Sequence, residues 1–390
     1  MTLKSTEIYI ELAEQLSQRL AETAVERDRQ GGTAIREREW IRESGLLKLL
    51  IPKKNGGHGE TWITVLKIVR RLAEVDSSVA HLFGFHHLNL ISPHIYGDQG
   101  QKEFYYTETA RHNWFWGNAF NPSVSDVKAI RQDIGFIING TKGFCSGASD
   151  SDILIVSAER EDGGTMFKAV IPTNRMGILI HNDWDSFGQR QTDSGRVTFN
   201  QVEVGEGELL LKHDPQNYFM KLRGTLPKLI LGHLYMGIAE GAFKEVKNYT
   251  NSLTRMWHAS GARAAEDPYN LRHFGDYWVQ LTAAKLLSDR AAERFQDAWD
   301  MEADLQEGQY GETVEAILTA NAMATKVGLE ISSRMFEVMG ARSTASQYGF
   351  DRYWRNLRTH TLHDPYDYKL KELGHWALNG YFKADARLDK

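Results

Sequence analysis

The sequence has a single cysteine, Cys145, among 390 residues. A lone thiol can close no internal disulfide and form no CxxC metal site, and it suits a reducing compartment. An excess of positive charge is also missing: 46 Lys and Arg against 51 Asp and Glu leave a formal net charge of −5. The chain therefore offers no field for nucleic acid or for an anionic membrane, and neither is an expected partner. Prolines are few, 8, and the 34 glycines are no low-complexity excess. Long apolar runs are absent too, since the stretch Leu226 to Phe243 is interrupted by Pro227, Lys228, His233 and Glu240. Met1 to Glu7 are followed by no apolar segment, so no signal peptide is expected and the expected compartment is the cytoplasm. What is present, 42 % hydrophobic and 25 % charged residues, is the composition of a globular chain long enough for two or three folding units.

Periodicity changes twice along the chain. Ile8, Leu12, Leu16 and Leu20, then Trp62, Val65, Leu66, Val69 and Leu72, repeat at helical spacing, with Asp76 placed to cap a further helix. Between Asn113 and Leu211 short β-branched runs take over, at 135–140, 152–157, 166–171, 177–180 and 196–204, separated by turn residues such as Glu161-Asp-Gly-Gly164. Helical spacing then returns near 226–256, 270–303 and 311–339. The expected architecture is α+β and multidomain: an N-terminal helical domain (1–112), a middle β-sandwich or barrel (113–214), and a C-terminal helical bundle (215–390) that also carries oligomerisation. No helix lies between the strands, so a doubly wound dinucleotide fold is disfavoured. Gly232, Gly237 and Gly241 sit where a second helix can approach closely.

Most single motifs read as structure. Gly56-Gly-His-Gly59 has neither a preceding strand nor a following Lys-Ser/Thr, so it is no phosphate loop. His360 and His363 beside Asp364, and the group His81, His86 and His87, each fall short of a full ligand set, and no metal is expected. Cys145 lacks a neighbouring base and reads as a buried structural thiol. Two segments are richer: Asn113-Trp-Phe-Trp-Gly-Asn118 and Asn182 to Gly195 mix large aromatics with amide, hydroxyl and guanidinium groups. That mixture suits a flat heterocycle with polar edges, and equally an ordinary interfacial loop.

The order of helices, strands and helices resembles the acyl-CoA dehydrogenase fold. The strings Thr23-Ala-Val-Glu-Arg-Asp-Arg29, His81-Leu-Phe-Gly84, Asn139-Gly-Thr-Lys142, Phe144-Cys-Ser-Gly-Ala148, Arg190-Gln-Thr-Asp-Ser-Gly195, Glu266-Asp-Pro-Tyr269, Tyr348-Gly-Phe-Asp-Arg352 and Leu362-His-Asp-Pro365 resemble one branch of it, the dibenzothiophene monooxygenase family. They span nearly the whole chain. The resemblance implies reduced FMN supplied by a separate NAD(P)H-dependent reductase, O2 as co-substrate, oxygen transfer from a C4a-hydroperoxyflavin to the sulfur of a small organosulfur compound, and a homotetramer. It implies a flavin shell at Phe85, Asn118, Ala119, Phe120, Asn121, Pro122, Ser123, Lys142, Gly143, Phe144, Cys145, Ser146, Trp184, Arg255, Ala341, Arg342 and His363. Within that shell Arg255 and Arg342 suit the flavin phosphate, and Trp184 suits a ring face. His363, Ser146, His81 and Asn118 are the implied catalytic residues, with His363 as proton relay. Phe85 departs from the family's Tyr, which makes small alkyl sulfur compounds, sulfinates included, rivals of dibenzothiophene as substrate. Rival activities are an FAD-dependent acyl-CoA dehydrogenase, with Asp364 near the place of the catalytic carboxylate, and a flavin-dependent amine N-hydroxylase.

Overall fold

The computed structural model describes residues 5–120, 126–164, 166–253 and 263–382. Seven helices come first: α1 Ser5–Ala21, α2 Ala24–Gln30, α3 Ile35–Ser44, α4 Trp62–Ala73, α5 Ser77–Leu90, α6 Ser92–Tyr96 and α7 Gln99–His112. The strands follow as β1 Trp116–Ala119, β2 Val127–Arg131, β3 Phe136–Lys142, β4 Ile153–Arg160, β5 Phe167–Pro172, β6 Ile178–Ile180 and β7 Val197–Val204. Five helices complete the described chain: α8 Tyr218–Ser252, α9 Pro268–Met301, α10 Glu307–Met339, α11 Asp351–Thr361 and α12 Tyr366–Asn379.

Local chemistry sets the helix starts. Thr61 caps α4 by accepting from the Thr64 amide, and Asp76 caps α5 by accepting from Val79 at 3.0 Å. Every residue of α5 is buried, so this helix runs through the interior and its polar side chains must find partners or ligands there. The sequence pattern places the start of the next long helix near 226. Instead α8 begins at Tyr218, capped by the Asn217 side chain, and passes through Pro227. A proline inside a helix removes one backbone hydrogen bond, and burial of most of the helix's apolar residues on both sides of it outweighs that loss.

The sheet has the order β1-β4-β2-β3-β7-β6, with β5 paired to β4. β4 runs parallel to β1 and β2, and the remaining pairs are antiparallel. Five strands lie where β-branched runs predict them. β1 begins in the aromatic segment Asn113–Asn118 and β2 lies outside every predicted run, because β1 is four residues of low strand propensity and β2 only five long. Val127, Ile138, Leu154 and Phe199 fill the interior of the sheet region. The helices before and after it share one core, in which Leu16, Trp62 and Phe83 join Tyr235, Phe295 and Ile331. Among the described residues no helix is long and apolar enough to cross a membrane.

The glycines of α8 are used inside the chain. A Cβ at Gly237 would overlap the Arg70 carbonyl, one at Gly241 the Glu74 carbonyl, and Gly232 faces Asn321 of α10. The close approach is therefore to α4 and α10 of the same protomer, as expected of glycines at a helix contact. Gly237→Ala should lower stability by about 1–3 kcal/mol through overpacking. Gly275→Ala, on α9 where an added methyl meets nothing within 4 Å, should be neutral or stabilising by about 0.5–1 kcal/mol. Urea melts of the two variants beside the parent check both.

Candidate active site between the sheet and the buried helix

Two loops from the sheet are fastened to α5. Gln189 donates from its amide to Asn356 Oδ1 of α11 at 2.6 Å and from Nε2 to Ser77 Oγ at 3.1 Å. The Gln191 amide reaches Ser78 Oγ at 3.4 Å, and its side chain accepts from Arg27 Nη1 at 2.8 Å. Arg27 is itself held by Glu37 and by the α5 cap Asp76. The second loop pairs with the first, Cys145 N to Gly195 O and Gly147 N to Thr192 O, both at 3.0 Å. Arg38 closes the junction through the Gly147 carbonyl, also at 3.0 Å. Phe144, Gln189 and Asp193 have φ of 57°, 54° and 52°. Left-handed backbone at non-glycine residues persists where surrounding contacts over-determine it, and it concentrates at functional sites.

This junction leaves a polarised chain of hydroxyls. Thr192 Oγ1 donates to the Gln189 carbonyl at 3.0 Å, so its proton is committed. Ser194 Oγ, 2.8 Å away, must then donate to Thr192, and Ser146 Oγ, 2.8 Å further on, must donate to Ser194. Ser146 consequently offers only lone pairs to whatever binds beside it. The backbone carbonyl of Ser146 accepts from the Asn118 amide at 3.1 Å, and Asn118 Oδ1 accepts from the Phe120 amide at 3.1 Å, so the end of β1 is tied to the same spot.

α5 and the end of α11 carry a cluster of imidazoles. His81 stacks on Phe85 with ring centroids 4.0 Å apart and on His360 at 4.7 Å. The Tyr235 hydroxyl fixes the His360 backbone by donating to its carbonyl at 3.0 Å. Both ring nitrogens of His81 and Nε2 of His360 are buried without a hydrogen-bond partner. Burial pushes His81 down to about 3, with nearby His363 adding to the shift, and takes His360 well below the usual range. His363 is exposed, yet desolvation by the surrounding protein lowers it against the pull of Asp364 and with help from Lys369 and Lys228. Asp364 Oδ2 stands 3.8 Å from Lys369 Nζ and 3.9 Å from Lys228 Nζ. The cluster is therefore neutral at neutral pH and carries buried nitrogens that a ligand could use.

The residues singled out from sequence are spread over several parts of the fold. His81, Phe85 and His363 meet at α5 and the end of α11, while Asn118, Ala119, Phe120 and Ser146 lie where the end of β1 is tied to the 144–147 loop, and Leu82 of α5 packs on Gly147 of that loop. Phe144 is exposed at the rim and meets Trp184 edge-on at 6.1 Å, while Trp184 Nε1 donates to the Gln189 carbonyl at 2.8 Å. Lys142 precedes this loop, beside Gly143, but its ammonium bonds the Ser157 carbonyl and hydroxyl inside the sheet region at 2.5 and 2.8 Å. Cys145 is buried and its thiol is pushed up to about 12, chiefly by desolvation, so it stays protonated. Ala341 and Arg342 occupy an exposed turn after α10, where the Arg342 charge acts on Tyr249. Tyr249 follows Tyr235 by about fourteen residues of α8, roughly 21 Å of helix, so one chain does not bring Arg342 to the histidine cluster. Asn121, Pro122, Ser123 and Arg255 lie outside the described residues.

The structure also adds residues. Ser194 and Thr192 lie in the Arg190–Gly195 string without having been assigned a role. His360 was weighed only as a metal ligand, and Lys228 and Lys369 carried no local signal. His86 leaves the group with His81: its Nε2 faces the Leu47 carbonyl at 3.0 Å and its Nδ1 accepts from the Trp116 amide at 3.1 Å, a structural role.

Helices flanking a mixed sheet, with a cleft at their junction, define the acyl-CoA dehydrogenase class. Family models for the N-terminal, middle and C-terminal domains of acyl-CoA dehydrogenases match residues 5–113, 120–202 and 229–367. The chain belongs to that family. Within it, the chain is 48 % identical over 371 residues to a protein of Pseudomonas putida named a probable FMNH2-dependent monooxygenase, SfnC, covering 94 % of each. The solved methanesulfinate monooxygenase MsuC of Pseudomonas fluorescens superposes with a TM-score of 0.95 at 48 % identity, covering 99 % of this chain and 100 % of that one. The dibenzothiophene monooxygenase TdsC of Paenibacillus sp. A11-2, solved with FMN bound, superposes with a TM-score of 0.91 at 40 % identity, covering 96 % and 98 %.

The buried imidazoles make stability pH-dependent. His81, His86 and His233 titrate at about 3 in the fold against an ordinary 6.5. The unfolded chain therefore binds more protons between those values, and stability that is complete above pH 6.5 falls as pH drops toward 3. Melting temperature should decline steadily below pH 6.5, and His81→Asn should flatten that decline by up to about 1.4 kcal/mol per pH unit. Calorimetric melts from pH 7.5 to 4 check both.

Proposed function

We propose that this chain is a monooxygenase that uses reduced FMN and O2 to add one oxygen atom to the sulfur of a small organosulfur compound, in desulfurisation or sulfur acquisition. The observation that carries the reading is the presence of a hydroxyl polarised to accept, Ser146, together with imidazoles whose buried nitrogens have no partner among the described residues. Reduced flavin carries a ring N–H that oxidised flavin lacks, so an acceptor at Ser146 suits the reduced form. The cleft also has aromatic surface for the ring at Phe85, Phe144 and Trp184. When bound, reduced FMN supplies two electrons and the site of reaction with O2. The tasks left to the chain are to hold the cofactor's polar edge at Ser146 and Asn118, to keep water out with Phe85 and Phe120, and to move a proton at the His363 ring. A neutral imidazole has one N–H and one lone pair, so it can relay a proton to the departing oxygen and be recharged from the open face of the cleft. Phe85 brings no hydroxyl to the pocket, which favours a substrate that needs none there.

The acyl-CoA dehydrogenase reading needs a free carboxylate base. Asp364 instead sits between Lys228 and Lys369, so its carboxylate is engaged by two cations rather than free, and this argues for oxygen transfer. We assign the phosphate to Arg255 and Arg342, with Arg342 supplied by a neighbouring copy in a homotetramer. Leu271, Trp278, Val279 and Leu286 form an exposed apolar stripe on α9 at heptad spacing, suited to a partner helix. The setting is the cytoplasm, where a separate NAD(P)H-dependent reductase delivers reduced FMN.

Oxygen uptake with photoreduced FMN against thiophenes, alkyl sulfides, sulfinates and amines tests the reading. Copurification of stoichiometric FAD together with acyl-CoA desaturation would overturn it. His363→Ala should bind FMN as the parent does while sulfur oxidation falls by about 10²–10⁴-fold, and an unchanged rate would make His363 structural. The double variant Trp278→Glu, Leu286→Glu should give a smaller particle than the parent by light scattering.

A further inference from the structure

Arg223, near the start of α8, is a buried cation with no carboxylate partner among the described residues. It is 5 % exposed, and its contacts among the described residues are neutral. Nε reaches Ser92 Oγ and Nη2 reaches Asn89 Oδ1, both at a long 3.3 Å, and the guanidinium lies 5.2 Å from the centre of the Phe120 ring. Nη1 makes no hydrogen bond among the described residues. The Asn89 amide nitrogen is also buried without a partner. A second buried cation, Lys168, lies 4.8 Å over the ring of Tyr96 and forms no ion pair among the described residues, and Tyr96 in turn lies within electrostatic range of Arg223. Donors and positive charge are thus concentrated in an interior spot with too few acceptors, an arrangement that is strongly unfavourable unless something negative binds.

The spot adjoins the site. Asn89 lies one turn beyond Phe85, and Ser92 follows on the same side, continuing the stripe of α5 that carries His81. Phe120 is two residues past Asn118, about 7 Å of strand. Resting on the monooxygenase reading, we propose that Arg223 and the Asn89 amide bind the charged group of the substrate, and that the substrate is a small organic sulfur anion, an alkanesulfinate, rather than a neutral sulfide or thiophene. The reaction balances as RSO2⁻ + FMNH2 + O2 → RSO3⁻ + FMN + H2O. The sulfur lone pair forms the new S–O bond, sulfur and reduced flavin each give two electrons, the O–O bond breaks, and the second oxygen leaves as water.

The competing explanation is that Arg223 only ties α8 to α5 and α6. The two differ in what removal of the charge does. Methanesulfinate binding is measured by anaerobic calorimetry on the full chain with reduced FMN, together with kcat/KM for methanesulfinate and for dimethyl sulfide. Arg223→Met should weaken methanesulfinate binding about 10²-fold, the loss of a charge-assisted pair of hydrogen bonds. Its melting temperature and FMN affinity should hold or rise, because an uncompensated buried charge has gone. Asn89→Asp, which supplies an internal counter-ion, should exclude the anion to a similar extent and stabilise the fold. Parental binding in both variants, or a fall in melting temperature of Arg223→Met with unchanged selectivity, overturns the proposal. If the parent oxidises dimethyl sulfide but not methanesulfinate, the anion site is wrong and the monooxygenase reading stands. If no sulfur compound is oxidised with reduced FMN, the reading beneath it falls as well.

Discussion

The fastening of the 189–195 loop onto the first turn of α5 is the contact on which the site depends. Ser77 and Ser78 are the two residues after the Asp76 cap, and their hydroxyls hold Gln189 and Gln191 while Asp76 holds Arg27. One helix start thereby sets the position of a loop from the sheet, of the 144–147 loop paired to it, and of His81 one turn further along. The buried charges at Arg27, Glu37 and Asp76 compensate one another, which is why this seam can be both polar and internal. Positive φ at Gln189 and Asp193 is the strain this seam holds in place.

From that seam follows an asymmetry between the two sides of the cleft. The sheet side is a chain of hydroxyls that ends on a backbone carbonyl, so its proton direction is determined and Ser146 is left an acceptor. The helix side is made of aromatic and imidazole rings whose nitrogens burial keeps neutral. A site of this kind gives up folding stability for unpaired polar atoms at His81, His360 and Asn89, although such atoms also occur away from it, at His87, His233 and Asn321 among others. Elsewhere the interior is conventional: one apolar core shared by the helices on both sides of the chain, and a smaller one inside the sheet region.

Much of this was legible in the sequence. Helical spacing in Trp62–Leu72, β-branched runs at 152–157 and 196–204, and the Asp76 cap are local signals, and local physics decides them. Family strings such as Phe144–Ala148 and Leu362–Pro365 pointed to Ser146 and His363 because a shared motif keeps its place in a shared fold. The start of α8 was misplaced because Pro227 is a strong local breaker overruled by burial on both sides of it. β1 and β2 were missed because four or five residues carry too little pattern to stand out.

By itself the sequence determined the class of fold, the globular and acidic character of the chain, the lone thiol and the residue types available for flavin chemistry. Only the tertiary structure decided which of them meet. Hydroxyl direction at Ser146 depends on a carbonyl at Gln189, the neutrality of His81 on His360 and Phe85 closing around it, and the isolation of Arg223 on which side chains of α5 and α6 face α8. The same structure turned Lys142 toward Ser157, left Arg342 on an exposed turn, and spent the α8 glycines on α4 and α10. Each of these is a relation between residues far apart in the chain. Desolvation and hydrogen-bond direction exist only once those distant groups are in contact, and no spacing along the sequence encodes them.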